Sequence, residues 1–285
     1  MTCRLLLLLL CAAAGPAVTQ TSSSRQRLLM DYGSAFTTGD HAGAEVPAFD
    51  DGSWRAVDLP HDWSIEGPYD SAAATTGRGG SRPTGIGWYR RSFTMPRAWR
   101  GRRVTIEFDG VYQNSDVWIN GHHLGSRPNG YVSFQYDQTP HLREGANVVA
   151  VRVDNSRQPN SRWYSGSGIY RHVWLAVTSP LHIGHWRTYV TTPEADSATA
   201  QVAIRARIVN DGTGERRGRL RPVVLDGSGR EAGRAESPFT VAAGQTVEVA
   251  QQVRVEAPAL WSLERPALHI RLETDLRCAR LTRRI

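Results

Sequence analysis

Residues 104–121 read VTIEFDGVYQNSDVWING, and their alternation decides the fold. Val104, Ile106 and Phe108 point one way and Thr105 and Glu107 the other, the period-two pattern of a strand with one face against a core. Val117 and Ile119 repeat the pattern and lead into Asn120-Gly121. That pair is preferred in a type I′ hairpin, where both central residues need positive φ. The alternation recurs at Val149, Val151 and Val153, and again at Val173, Leu175 and Val177, with Gly and Pro at the joins. No segment keeps a helical period over several turns. Short strands at this density predict an all-β sandwich.

Thr178-Ser179-Pro180 interrupts the pattern, and a second β set follows. Val202, Ile204, Ala206 and Ile208 alternate; Val223 to Leu225 run into the turn Asp226-Gly227-Ser228-Gly229. A long alternating strand carries Val247, Val249, Gln251, Val253 and Val255, and Leu268, Ile270 and Leu272 close the set. Roughly seven strands in about 95 residues is the size of an immunoglobulin-like sandwich, without the Cys…Trp…Cys pattern of antibody domains. The expected boundaries are 25–180 for the first sandwich and 181–276 for the second, with residues 277–285 an aperiodic basic tail.

The 285 residues, 40% hydrophobic and 21% charged, describe an ordinary globular chain. Its first residues stand apart: Arg4, then Leu5 to Leu10, then Ala12, Ala14 and Ala17. A basic start, a short apolar run and an Ala-x-Ala site predict a signal peptide within residues 1–19 and a secreted or periplasmic product. The run is too short to span a membrane. A lipid-modified Cys11 is disfavoured by Leu10, which stands where a small residue is expected. Loss of Cys3 and Cys11 with the leader leaves Cys278, so no internal disulfide is expected.

A net charge of +7 invites a nucleic-acid reading. The chain has no lysine, however, and its arginines are dispersed. The tightest group, Arg216, Arg217, Arg219 and Arg221, lies in a turn-rich segment and reads as a solvated patch. No nucleic-acid partner is expected.

Chemistry concentrates in irregular segments. RWYSGSGIYRHVWL, residues 162–175, sets Trp163 and Tyr164 before a run of glycines and serines. Adjacent aromatics on a strand would face opposite sides, whereas glycines permit a loop to project them. Either the loop serves binding, or one ring caps the end of the sandwich. LPHDWSIEGP, residues 59–68, adds His61, Asp62 and Trp63, and VDNSRQPNSRW, residues 153–163, adds Asp154, Asn155, Asn160 and Arg162. Carboxylate, amide, guanidinium and indole are the groups that grip sugar hydroxyls and cover a pyranose face. Asp62, Asp154, Asn155, Arg162 and Trp163 are therefore the candidate substrate-binding residues.

No catalytic residue, metal set or cofactor motif is expected. His182 and His185, three apart on a strand, are predicted to face opposite sides. SGSG does not match the Gly-x-Ser-x-Gly nucleophile turn.

Together, LPHDWSIEG, GIGWYRRSFTMP, the stretch from Phe108 to Asn155 and RWYSGSGIYRHVWL resemble the amino-terminal part of glycoside hydrolase family 2, the β-galactosidase, β-glucuronidase and β-mannosidase group. The words stand in the family's order from about Arg27 to Pro180 and look most similar to β-galactosidase-like members. The second half resembles the family's immunoglobulin-like domain through APALWSLERPALHIRLETDL, residues 257–276.

The resemblance implies a jelly-roll, galactose-binding-like β-sandwich, then an immunoglobulin-like β-sandwich, then a (β/α)8 barrel. The barrel of such enzymes carries the acid/base and nucleophile glutamates of a retaining hydrolysis. The jelly roll lends loops to the rim of the pocket, with Asp154 where family members place a carboxylate near the sugar, and Asp62 and Arg162 in the other rim segments. After LETDL this sequence reads RCARLTRRI, where a family member continues for roughly 300 residues more of barrel. The expectation is a truncated or frame-shifted product, inactive alone. Its expected partners are carbohydrate, a β-galactoside or plant polysaccharide, and either a second copy or a chain that supplies the barrel. The alternative is a free-standing lectin-like protein.

Overall fold

The computed structural model of the chain describes residues 25–76, 79–160 and 164–264, and the backbone of Arg271–Leu276 and Ala279–Arg284. Ten strands build the first sandwich: β1 (Arg25–Leu29), β2 (Ser34–Thr38), β3 (Arg55–Val57), β4 (Gly85–Met95), β5 (Arg103–Phe108), β6 (Ser115–Ile119), β7 (His122–Arg127), β8 (Phe134–Asp137), β9 (Gly145–Asn155) and β10 (Val173–Thr178). One sheet runs β1-β10-β5-β8 and the other β3-β2-β4-β9-β6-β7. The inward rows meet as the alternation predicts. Val104, Ile106, Phe108, Leu175 and Val177 from the first sheet pack on Val117, Ile119, Val149, Val151 and Val153 from the second. Each such side chain contributes about 1.5–3 kcal/mol on burial.

Register follows from the same rows, with Leu175 opposite Ile106 and Val117 opposite Val151. The β6–β7 hairpin turns on Asn120 at φ 51° and Gly121 at φ 83°, both positive as its sequence requires. Asn120 is also buried, and its amide bonds the carbonyl of His141 and the side chain of Asn147. On the outer face of the larger sheet Trp88 stacks on Trp118 at 5.3 Å. There the buried guanidinium of Arg90 holds the segment before β3 through Asp51 and the carbonyls of Ala44 and Val46.

Eight strands follow: β11 (Leu181–Ala195), β12 (Thr199–Asn210), β13 (Arg216–Leu225), β14 (Glu231–Arg234), β15 (Ser237–Val241), β16 (Thr246–Glu256), β17 (Arg271–Leu276) and β18 (Ala279–Arg284). They form the sheets β11-β12-β16 and β14-β13-β17-β18, with β15 also pairing β13. The fold is all-β: a jelly-roll sandwich followed by an immunoglobulin-like sandwich, with no α-helix among the described residues.

Two expectations change. Residues 279–284 are not irregular: they form β18, antiparallel to β17. The arginine-rich segment lies on strand β13 and not in a turn. It is a solvated patch in which Arg217 pairs with Glu215, and Arg219 and Arg221 share Glu236, so two glutamates offset part of its charge.

No linker separates the sandwiches, since β10 ends at Thr178 and β11 begins at Leu181. Arg103 of β5 spans the seam to Asp211 at 2.6 Å while also facing Asp137. Glu107 points away from its own core, yet is only 2% exposed because the start of β11 covers it. Its carboxylate meets Arg27 at 3.0 Å and His185 at 3.5 Å, and burial raises its pKa against the pull of Arg27.

Candidate functional site

The candidate residues gather at one end of the jelly roll, where β9 runs out into the loop that leads to β10. Along β9 the side chains alternate, so Val151, Val153 and Asn155 face inward and Arg152 and Asp154 outward. Two neighbouring residues read alike from sequence thus have different fates.

Asp154 is a quarter exposed. One carboxylate oxygen accepts from the Ser156 amide at 3.0 Å and the Ser156 hydroxyl at 2.6 Å, closing an Asx-type turn. The other accepts one long bond, 3.3 Å, from Arg152, which is itself held by both oxygens of Asp40 at 3.0 Å. Burial pushes the Asp154 pKa up, but the bonds from Ser156 and Arg152 outweigh it and leave the group below the ordinary carboxylate value. It is an ionised, oriented acceptor with an oxygen still open to a ligand.

Asn155 is fully buried and binds no solvent. Its Nδ2 donates to the Ser167 hydroxyl at 2.7 Å and to the Gly166 carbonyl at 3.3 Å. Its Oδ1 accepts from Gln158 at 3.0 Å and from Asn160. The amide ties the loop to the strand and presents no exposed surface in this fold.

Asp62 is likewise occupied. One oxygen caps the turn Trp63–Ile65 by accepting the Ser64 amide at 2.9 Å, and accepts the Ser167 amide at 2.8 Å as well. The other accepts the Tyr164 hydroxyl at 2.6 Å. Trp63 is 4% exposed and stacks on Phe36, inside the core. Arg162 and Trp163 lie outside the described residues.

The glycines after Tyr164 provide close approach and do not act as a hinge. A Cβ on Gly166 would collide with the Asp62 carboxylate, and one on Gly168, at φ 128°, would lie 2.6 Å from the His61 carbonyl. Gly168 and Tyr112 exchange both backbone hydrogen bonds at 2.9 Å. Ser167 has no exposure at all and receives the Ser64 hydroxyl at 2.7 Å. Tyr164 is therefore fixed at the surface, and burial raises the pKa of its phenol, which donates to Asp62.

Aromatic rings missed in sequence stand on the loops around this network. Tyr131 is 65% exposed and meets Tyr112 edge-on at 5.3 Å, and the Tyr112 hydroxyl reaches Asn160. Tyr69 is 72% exposed and carries the Arg82 guanidinium 3.9 Å above its ring. The tyrosines in NGYVS and GPYD, each beside turn residues, were the available signal. Exposed ring faces on the loops at this end suit the apolar face of a sugar ring, and no group of metal-binding side chains occurs among the described residues.

A two-sandwich β protein with a loop-built polar and aromatic rim is the class that fold and site define. Residues 54–180 match the family model for the glycosyl hydrolases family 2 sugar binding domain, and residues 181–278 match that for glycosyl hydrolases family 2. The chain belongs to glycosyl hydrolase family 2 and carries its two amino-terminal β domains. Beta-galactosidase BoGH2A of Bacteroides ovatus is 45% identical over 87% of this chain and 29% of its own length. A beta-glucuronidase of Formosa agariphila is 28% identical over 87% of this chain and 28% of its own. The crystal structure of a family 2 member from Bacteroides cellulosilyticus superposes with a TM-score of 0.84 at 37% identity, covering 88% of this chain and 33% of that one. The chain thus spans about a third or less of the length of these relatives.

Proposed function

We propose that this chain is the non-catalytic, sugar-recognising front part of a secreted, retaining β-glycosidase of the β-galactosidase type, acting in O-glycosyl hydrolysis when joined to a (β/α)8 barrel. The observation that carries the reading is Asp154, ionised, partly exposed and aimed by Ser156 and Arg152 at the end of β9. The second oxygen of such a carboxylate can accept a sugar hydroxyl, and Tyr131 is an exposed ring on a neighbouring loop. Asp62 holds the loop through Ser64, Ser167 and Tyr164, which is a positioning role. The two carboxylates of a retaining mechanism belong to the barrel in this reading. Its products would be a free sugar and an alcohol, with Asp154 orienting the sugar and leaving the anomeric carbon to the barrel. The start of the sequence supports export, and a β-galactoside or plant polysaccharide is the proposed ligand.

The test uses the purified chain with a chromogenic β-galactoside and a parallel titration with lactose. The expected result is no turnover together with weak, saturable lactose binding that Asp154→Ala abolishes. Turnover by the chain alone would refute the non-catalytic assignment. Lactose binding that survives Asp154→Ala would remove Asp154 from the rim.

A further inference from the structure

The seam between the sandwiches holds a cavity of about 420 Å³ whose walls come from both domains. Domain junctions of this volume are common small-molecule sites. Four arginines line it, Arg25 from β1, Arg103 from β5, Arg127 from β7 and Arg187 from β11. Arg103 is balanced by Asp137 and Asp211, and Arg25 donates to Nδ1 of His185 at 3.2 Å. Among the described residues no carboxylate pairs with Arg127 or Arg187. The Nε–H of Arg127 is shielded from solvent and has no acceptor among the described residues.

The cavity's β11 wall departs from regular strand geometry. Pairing with β12 shifts register between Ile183 and Thr188, and Trp186 sits at φ 52°, a conformation unusual and strained for a non-glycine residue. That irregularity brings His182 and His185 to the same cleft, against the opposite faces expected from their spacing. It also leaves the Trp186 indole 54% exposed on the cavity wall, with the His185 ring 4.1 Å away. Gly184 makes room for Arg187: a Cβ there would stand 2.7 Å from the Arg187 Cγ.

We propose that this cleft binds an acidic saccharide, whose carboxylate or sulfate is held by Arg127 and Arg187 and whose ring lies against Trp186. Guanidinium groups with no acid partner among the described residues suit an oxyanion, and their planar forks match carboxylate and sulfate oxygens. An exposed indole covers a pyranose face, and the amide of Gln135, from the β8 part of the lining, suits its hydroxyls. The site is separate from the Asp154 rim and does not depend on it.

Isothermal titration of the purified chain with D-glucuronate, sodium sulfate and galactose tests the assignment. Glucuronate is expected to bind saturably and more tightly than either other probe, and to weaken with added NaCl. Arg187→Met and Arg127→Met, which keep the stems and remove the charges, should each weaken it by about tenfold. Trp186→Phe tests the ring contact, and matching thermal midpoints establish that the variants fold. Lactose binding at the rim should be unchanged in the arginine variants. No glucuronate binding, or binding indifferent to both arginine substitutions, would overturn the site. Sulfate binding as tightly as glucuronate, with the same arginine dependence, would overturn the saccharide and leave a simple anion site.

Discussion

A Cβ placed on Gly166 would stand 2.6 Å from the carboxylate carbon of Asp62, a residue more than one hundred positions earlier in the chain. The loop from β9 to β10 is built around that approach. Because the glycine has no side chain, the Ser167 amide can reach Asp62 and the Ser167 hydroxyl can reach Asn155.

Gly166→Ala should therefore act as overpacking, lowering stability by about 1–3 kcal/mol. Urea unfolding of the two proteins measures this. A change within error would mean the loop relaxes away from Asp62, and the Tyr164 bond would then be expected to break as well.

The neighbours Asp154 and Asn155 should separate cleanly on mutation. Asn155→Ala leaves Ser167, Gln158 and Asn160 without their common partner in a buried network, a loss of about 3 kcal/mol. Asp154→Ala, at a partly exposed turn, should change stability by less than about 1 kcal/mol while removing lactose binding. Unfolding free energies and titrations on both variants check the pair, and equal stability losses would contradict the assignment.

His61 gives a pH dependence with a definite sign. Burial lowers its pKa below 6.5 against the opposing pull of Glu66, and its ring bonds the buried Tyr89 hydroxyl at 2.7 Å. A histidine depressed in the fold stabilises fully above its unfolded pKa and loses that contribution as pH falls through the folded value. Stability should decline below pH 6.5, the ordinary value, and His61→Gln should flatten the slope by up to about one proton. Denaturation series at several pH values on both proteins decide it. Parallel curves would exclude His61 as a source.

Export is tested at the amino terminus. Expression of the full sequence in a secreting bacterial host should yield a product beginning between Gly15 and Gln20, read by amino-terminal sequencing. A product retaining Met1 inside the cell would remove the signal-peptide assignment.

The sequence by itself determined both sandwiches, because burial in a strand repeats every two residues and is written locally. Val104 to Phe108, Val149 to Val153 and Val202 to Ile208 all kept the faces their alternation assigned, and Asn120-Gly121 turned as its positive-φ preference demands. The same period placed Asn155 inward with Val151 and Val153, a signal present but overridden by its resemblance to a sugar ligand. Tertiary structure alone decided which polar groups remained available. Asp62 is met by Ser167 and Tyr164, which only folding brings to it, whereas the partners of Asp154 are its own neighbours Ser156 and Arg152, the latter by one long bond. Glu107 is buried by the second sandwich, and His182 and His185 share a cleft because β11 breaks register. A hydrogen-bonding group is neutral to its position in the chain; its use depends on which partner arrives, and that is set by packing between distant segments.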